Sequence, residues 1–287
     1  MPIIVHTVRD LRALPRGRRR AVVMTMGALH AGHLSLVAEA RRLVGAAGEV
    51  LVTIFVNPLQ FGVGEDFDAY PRQLDDDLRA CAEAGVDIVF APSGAEMYPA
   101  GEPQTRVMPG ERAGSGLEAG QRPGHFSGML TVVLKLLNLT DPDVALFGEK
   151  DYQQLVLIAT MVADFNLPIE IVGVATSRES DGLARSSRNV YLSPESRAAA
   201  AAIPQALEAG RSAATDGASA DDVVAAAAAQ LAGLQVDYLD LRAPDLGPVE
   251  SIGADGAARL LVAVRFGSTR LLDNCAVQLH AVAETTP

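Results

Sequence analysis

Apolar positions recur in two alternating rhythms along the first 175 or so residues. Compact apolar runs at 21–26, 50–56, 86–90, 144–147 and 169–174 read as strands, and helical spacing marks 34–44, 75–84, 127–139 and 152–165. This alternation predicts βαβ units and a mostly parallel sheet. In such sheets ligands bind beyond the carboxyl ends of the strands. After Leu192 the pattern changes. Ser193-Pro194-Glu195 reads as an N-cap with Pro in the first turn, opening an Ala-rich helix. A Gly/Ser/Asp break at 215–219 precedes a second Ala-rich helix ending near Leu231. Segments 235–242, 259–266 and 269–279 then read as short antiparallel strands, giving a small α+β second domain.

Composition narrows the class. The 287 residues are 49% hydrophobic, enough for one large or two modest cores. No apolar run approaches the ~20 residues that span a bilayer. The apolar stretch at 1–5 is too short for a signal peptide, and Arg9, Arg12 and the basic cluster at 16–20 follow it. That cluster is expected to form a solvated turn before the strand at 21–26. Cys81 and Cys275 lie far apart, so no disulfide framework is expected and the cytoplasm is the natural setting. The net charge of −11 argues against a nucleic-acid surface. A small anion in a locally basic pocket stays compatible with an acidic exterior.

The richest stretch is Thr25-Met26-Gly27-Ala28-Leu29-His30-Ala31-Gly32-His33. Strand, glycine turn and helix start meet here at two histidines three residues apart. Free backbone N–H groups and the positive helix end favour a phosphate. His-x-x-His is also a metal-ligand spacing, and structural histidines remain a third reading. A zinc enzyme would normally need a third ligand, and the chain has only five histidines.

Four further motifs follow strands or precede helices. In Phe55-Val56-Asn57-Pro58-Leu59-Gln60-Phe61-Gly62, Pro58 ends the ladder and leaves Asn57 and Gln60 at the strand end. Gln60 can bind a carboxylate or an amine, or simply cap nearby backbone. In Arg122-Pro123-Gly124-His125-Phe126-Ser127-Gly128, Arg122 or His125 could meet an anion, although a Pro-Gly turn with Ser127 as N-cap explains the pattern equally well. Phe147-Gly148-Glu149-Lys150-Asp151-Tyr152-Gln153-Gln154 offers a Lys for phosphate charge and a carboxylate for Mg²⁺. Asp181-Gly182-Leu183-Ala184-Arg185-Ser186-Ser187-Arg188-Asn189 is a cationic, hydroxyl-rich loop of the kind that closes over a triphosphate.

Together these motifs, in order, resemble the pantothenate synthetase (pantoate–β-alanine ligase) family, and the likeness continues to Thr269-Arg270-Leu271-Leu272-Asp273-Asn274. That family belongs to the HIGH-type nucleotidylyltransferase superfamily, related in fold to class I aminoacyl-tRNA synthetases. The resemblance implies an α/β fold, with a Rossmann-like nucleotide-binding domain over 1–176 and a smaller C-terminal α+β lid over 177–287. It implies ATP-dependent condensation of pantoate with β-alanine, giving pantothenate, AMP and pyrophosphate, with Mg²⁺ accompanying ATP and a homodimeric assembly. By motif, Met26, Gly27, Ala28, Leu29, His30, Ala31, Gly32 and His33 would line the ATP site, with His33 as proton donor and His30 assisting at the phosphates. Gly148, Glu149, Lys150 and Asp151 would contact ATP, Lys150 at phosphate and Asp151 near adenosine or the metal. Ser177 would meet adenine through its backbone, and Arg185, Ser186, Ser187 and Arg188 would form the phosphate loop. Gln60 and Gln154 would hold pantoate, Gln60 also lying near β-alanine. Family members usually carry an apolar residue where this chain has Arg185, so that guanidinium either adds a phosphate contact or points outward.

The expected catalytic set is therefore His33, His30 and Lys150, with no protein nucleophile and no metal ligated by side chains alone. Three rivals remain: a nucleotidylyltransferase that stops after one transfer, a His-x-x-His metal hydrolase, and a nucleotide-binding module without activity.

Overall fold

The strands at the centre of this fold are apolar on both faces, which fits them for a parallel sheet covered on each side. A computed structural model describes residues 1–62, 64–65 and 67–280. It divides into two compact units, Met1–Glu149 with Gln154–Ser177, and Lys150–Gln153 with the chain from Arg178 onward. The boundary differs from the expected 176/177 division: Ser177 groups with the first unit. Lys150–Gln153 group with the second, because their hydrogen bonds and ring contacts run to β-strand residues there.

The first unit contains β1 (Ile3–Val5), α1 (Val8–Ala13), β2 (Arg20–Thr25), α2 (Ala31–Val44), β3 (Glu49–Ile54), α3 (Leu74–Glu83) and β4 (Ile88–Phe90). Three short helices follow, α4 (Gly94–Met97), α5 (Glu111–Gly114) and α6 (Leu117–Gln121), then α7 (His125–Thr140), β5 (Val144–Gly148), α8 (Tyr152–Asp164), which belongs to this unit from Gln154 on, and β6 (Glu170–Val174). The strands pair in parallel in the order β1-β4-β3-β2-β5-β6. Val22 stands in register with Leu51 on one side and Ala145 on the other. Ala21, Val23, Val50 and Val52 join Leu36, Val37 and Ala40 of α2 in one buried cluster. The chain leaves β2 towards β3 and leaves neighbouring β5 towards β6. That reversal is where such sheets open a crevice at their carboxyl ends.

Several expectations change at the element ends. β1, α1 and the helices between β4 and α7 are too short for periodicity to reveal. Arg20 belongs to β2 rather than to a solvated turn: it is 3% exposed, donates to Thr140 O at 2.6 Å and pairs with buried Glu49 at 3.3 Å. α7 starts at His125 with Gly124 as its left-handed N-cap, so Ser127 is not the cap. Ser127 is buried and donates to Met108 Sδ.

The second unit has α9 (Pro194–Ala199), α10 (Ala202–Thr215) and α11 (Ala220–Gln230), then β7 (Gln235–Arg242), β8 (Ala257–Phe266) and β9 (Thr269–Gln278) in an antiparallel sheet. Ser193 caps α9 with Pro194 in its first turn. The Ala-rich stretch after it is two helices rather than one. Pro204 lacks an N–H and sits in the first turn of α10, where none is needed. Ile203, Leu207, Val223, Leu260, Val262 and Leu271 form the core.

Candidate active site

At the end of β2 the chain turns through two left-handed residues, Gly27 (φ 83°) and Ala28 (φ 51°). A residue bearing Cβ dislikes that region, so something must hold Ala28 there. Asp77 of α3 does so. Its buried carboxylate accepts from Ala28 N at 3.0 Å and from Leu29 N at 2.7 Å. A Cβ on Gly27 would stand 2.9 Å from Asp77 Oδ2, so the clamp also requires glycine. Burial raises the Asp77 pKa, while the two backbone N–H groups oppose the rise. Thr25 Oγ1 donates to Thr53 O and accepts from Gly27 N, fastening the turn to β3.

The turn delivers His30 to the N-cap of α2 and His33 to its third position. His30 Nδ1 accepts from Gly32 N at 3.1 Å, and His33 Nδ1 accepts from His30 N at 3.3 Å. The two imidazoles form a reciprocal capping box, with ring centroids 4.1 Å apart. Because each Nδ1 accepts a backbone proton, the neutral ring carries its own proton on Nε2. Each Nε2–H is thus a donor at the positive end of a helix, suited to a phosphate oxygen. Ser177 follows β6 and lies beside this helix start, its Cβ 3.9 Å from where a Cβ on Gly32 would be. Gln154 stands in the first turns of α8, partly buried.

Gln60 lies in the 3-10 turn Pro58–Gln60 after β3 and is 9% exposed. Its Oε1 accepts from Asn57 Nδ2 at 3.1 Å, so Nε2 points at Met26 Sδ, 3.1 Å away. Asn57 is in turn fully engaged: it also donates to Gly128 O and accepts from Leu59 N and Tyr98 Oη. Burial pushes the Tyr98 hydroxyl up to about 12, so it stays a donor. Gly128 lets α7 lie against this turn, since a Cβ there would stand 1.9 Å from Leu59 O. The structure assigns Arg122 and His125 to the same support. Arg122 pairs with Glu65 at 2.6 Å and donates to His125 Nε2, and His125 Nδ1 donates to Gln60 O at 2.8 Å. Burial first, then the Arg122 charge, lowers the His125 pKa to about 4, so this ring is neutral.

In the second unit Lys150 and Asp151 occupy the 3-10 turn Glu149–Asp151, with Lys150 Nζ 3.8 Å from Asp151 Oδ1. Gly148 ends β5 in the first unit, and Glu149 follows it. Arg185 is turned towards its own loop: Nε donates to Arg178 O at 3.2 Å and Nη1 lies 3.5 Å from Glu179. Ser186 caps the turn Ser187–Tyr191, accepting from Arg188 N at 3.2 Å. Among the described residues no group of three or more His, Cys, Asp or Glu could hold a metal, so the His30–His33 pair has no third ligand.

The pantoate–β-alanine ligase family description matches residues 3–276. The chain belongs to that family. The ligase is 56% identical over 281 residues to pantothenate synthetase of Mycolicibacterium smegmatis, covering 98% of this chain and 87% of that one. Its fold is similar to pantothenate synthetase of Thermus thermophilus, with TM-score 0.89, 46% identity and coverage of 97% and 100%. It is also similar to pantoate–β-alanine ligase of Francisella tularensis, complexed with β,γ-ATP and β-alanine, with TM-score 0.77, 35% identity and coverage of 96% and 97%. No helix among the ligase's described residues is long and apolar enough to cross a membrane.

Sequence reasoning singled out the histidines, Gln60 and Lys150 but missed Asp77. An Asp75-Asp76-Asp77 run at a helix start reads as dipole complement, and nothing local marks the third carboxylate as buried.

Proposed function

We propose that this ligase activates the carboxylate of pantoate with ATP and passes the acyl group to the amine of β-alanine. In the first step a carboxylate oxygen attacks the α-phosphorus, and the bond to the bridging oxygen of pyrophosphate breaks. In the second, the β-alanine nitrogen attacks the acyl carbon, AMP leaves and the nitrogen loses a proton. Adenylation is needed because a free carboxylate would have to expel oxide. No protein nucleophile takes part.

The observation that carries this reading is the imidazole pair at the head of α2, whose Nδ1 atoms both accept from backbone N–H groups, which makes Nε2 the donor of each neutral ring. His33 is the proton donor to the departing phosphate oxygen, with His30 beside it. Met26, Gly27, Ala28, Leu29, Ala31 and Gly32 line the nucleotide with them. Ser177, Gly148, Glu149 and Asp151 add further nucleotide contacts. Lys150, Arg188 and the hydroxyls of Ser186 and Ser187 stabilise charge on the phosphates. Arg185 serves its own loop first, through Arg178 O and Glu179. Gln60 Nε2 donates to the Met26 thioether, a weak acceptor, and the pantoate carboxylate offers a better one. Gln154 is the second pantoate contact, and Gln60 also serves β-alanine.

Mg²⁺ would enter as part of the MgATP substrate, with Asp151 lying near adenosine or the metal. The proposed setting is the cytoplasm, supported by two unpaired cysteines. The proposed assembly is a homodimer, on the family resemblance.

The test is isotopic. Pantoate carrying ¹⁸O in its carboxylate should yield labelled AMP, and pyrophosphate should form before β-alanine is added. Unlabelled AMP would overturn the adenylate route, and turnover without any amine would favour the nucleotidylyltransferase reading. Lys150→Ala should cut the first step by about 10²-fold or more, as loss of one charge stabiliser does. Near-normal pyrophosphate formation would remove Lys150 from the mechanism.

A further inference from the structure

The motif Thr269-Arg270-Leu271-Leu272-Asp273-Asn274 has no role in the activity as proposed, yet it places two polar residues in the middle of β9. Asp273 is 2% exposed and Asn274 3%. An apolar pair would fill that space without the cost of desolvating a charge, and buried ion pairs are weak contributors to stability. What a satisfied polar pair adds is direction.

The two side chains direct their hydrogen bonds to different segments of the same unit, although the Asn274 carbonyl also accepts from Arg178 Nη2 at 3.4 Å. Asp273 receives both arms of the Arg178 guanidinium, Nη1 to Oδ2 at 2.6 Å and Nη2 to Oδ1 at 3.1 Å. Oδ1 also accepts from Asn274 N at 2.8 Å. Arg178 opens the turn that leads into Arg185, Ser186, Ser187 and Arg188. It donates to Gly182 O, bridges Ala184 through backbone and accepts from Arg185 Nε at its own carbonyl. Asn274 looks the other way. Its Nδ2 donates to the carbonyl of Lys150 at 2.8 Å, and its Oδ1 accepts from Arg259 Nε at 2.7 Å. The Arg259 guanidinium lies 4.1 Å above the ring of Tyr152, two residues after Lys150.

We propose that Asp273 and Asn274 are positioning residues that hold the two phosphate-directed cationic segments in one register. Asn274 fixes Lys150 by its carbonyl, and Asp273 fixes the 185–188 loop through Arg178. Neither touches substrate. The inference rests on the activation reading above, in which Lys150 and Arg188 act on the phosphate chain of ATP. It therefore assigns the pair to the first half of the reaction, because pyrophosphate is gone before β-alanine reacts.

The full-length ligase tests this with Asn274→Asp, which keeps shape and the acceptor for Arg259 but loses the donor to Lys150 O, and with Asp273→Asn, which removes the charge facing Arg178. Two rates are measured: pyrophosphate release from ATP and pantoate, and pantothenate formation from synthetic pantoyl adenylate and β-alanine. The first should fall by about 10²-fold, the loss expected of a misplaced catalytic group. The second should stay within a few-fold, with KM for β-alanine unchanged. A parallel fall in both rates, or no fall in either, would overturn the proposal. Where those variants do not fold, Arg259→Lys loosens the same hub from its far side and is held to the same split. If the wild-type chain itself releases no pyrophosphate without β-alanine, the activation reading fails separately. The hub is then judged on overall turnover, where its variants must change kcat or KM for ATP and leave KM for pantoate and β-alanine alone. A change in those two KM values would overturn it.

Discussion

Asp77→Asn removes one oxygen from the clamp that holds the Gly27–Ala28 turn, and its consequences can be worked from two distances. The carboxylate accepts from Ala28 N at 3.0 Å and from Leu29 N at 2.7 Å. An asparagine keeps one of these bonds and turns an amide NH₂ towards the other N–H, donor against donor. A hydrogen bond to a charged group contributes about 1.5–3 kcal/mol net. Part of that is offset, because the amide escapes the burial cost that raises the Asp77 pKa. A net loss of about 1–2 kcal/mol follows, equivalent to a fall in Tm of roughly 2–8 °C for a unit of this size. Activity should suffer more than stability. Ala28 at φ 51° has lost half of its restraint, and His30 is two residues further on. A displacement of about 1 Å at such a position costs on the order of 10²-fold in rate. The assay pairs thermal unfolding with steady-state kinetics at varied ATP. Adding Ala28→Gly to the variant should recover part of the lost stability, because glycine adopts that backbone without strain. If Asp77→Asn retains wild-type Tm and kcat/KM for ATP, the clamp has no such role.

Two further outcomes follow from the support beneath Gln60. Gly128→Ala sets a methyl 1.9 Å from Leu59 O, so α7 or the Pro58–Gln60 turn must move. The overpacking should cost about 1–3 kcal/mol and raise KM for pantoate well before KM for ATP, and equal changes in both would refute the assignment. Burial, and after it the Arg122 charge, lowers the folded-state pKa of His125 to about 4, against the opposing effects of Gln60 O, Glu65 and Glu118. Between that value and the unfolded value near 6.5 the unfolded chain binds the extra proton, so this contribution is complete above about 6.5 and is lost as pH falls towards 4. About 2 kcal/mol is expected over the window, reduced because His125 is only half-buried. Unfolding of wild type and His125→Gln, compared from pH 7.5 to 4, should converge at the acid end. Parallel profiles would rule this out.

How much was legible follows from the range over which each interaction acts. The runs that became β2, β3 and β5, and the spacing that became α2, α7 and α8, carry their own signal, because burial on both faces or along one stripe is written residue by residue. Strand order decided that the exits of β2 and β5 lie side by side, but the motifs already sat at those exits. The capping of α2 by His30 and His33 is also local, a matter of three residues. Motif resemblance supplied the roles proposed for Gln60 and Lys150, which spacing left open. Other features depended on folding. Arg20 looked solvated because Glu49 and the carbonyl of Thr140 are remote in sequence. Asp77 reaches the motif turn across 48 and 49 residues, Asp273 meets Arg178 across 95, and Asn274 meets Lys150 O across 124. A sequence alone thus determined where strands, helices and their chemically rich ends would fall, through local propensity and periodicity. Only the tertiary structure decided which buried carboxylates and amides hold those ends in place, because such a group is defined by partners that no pattern along the chain brings near.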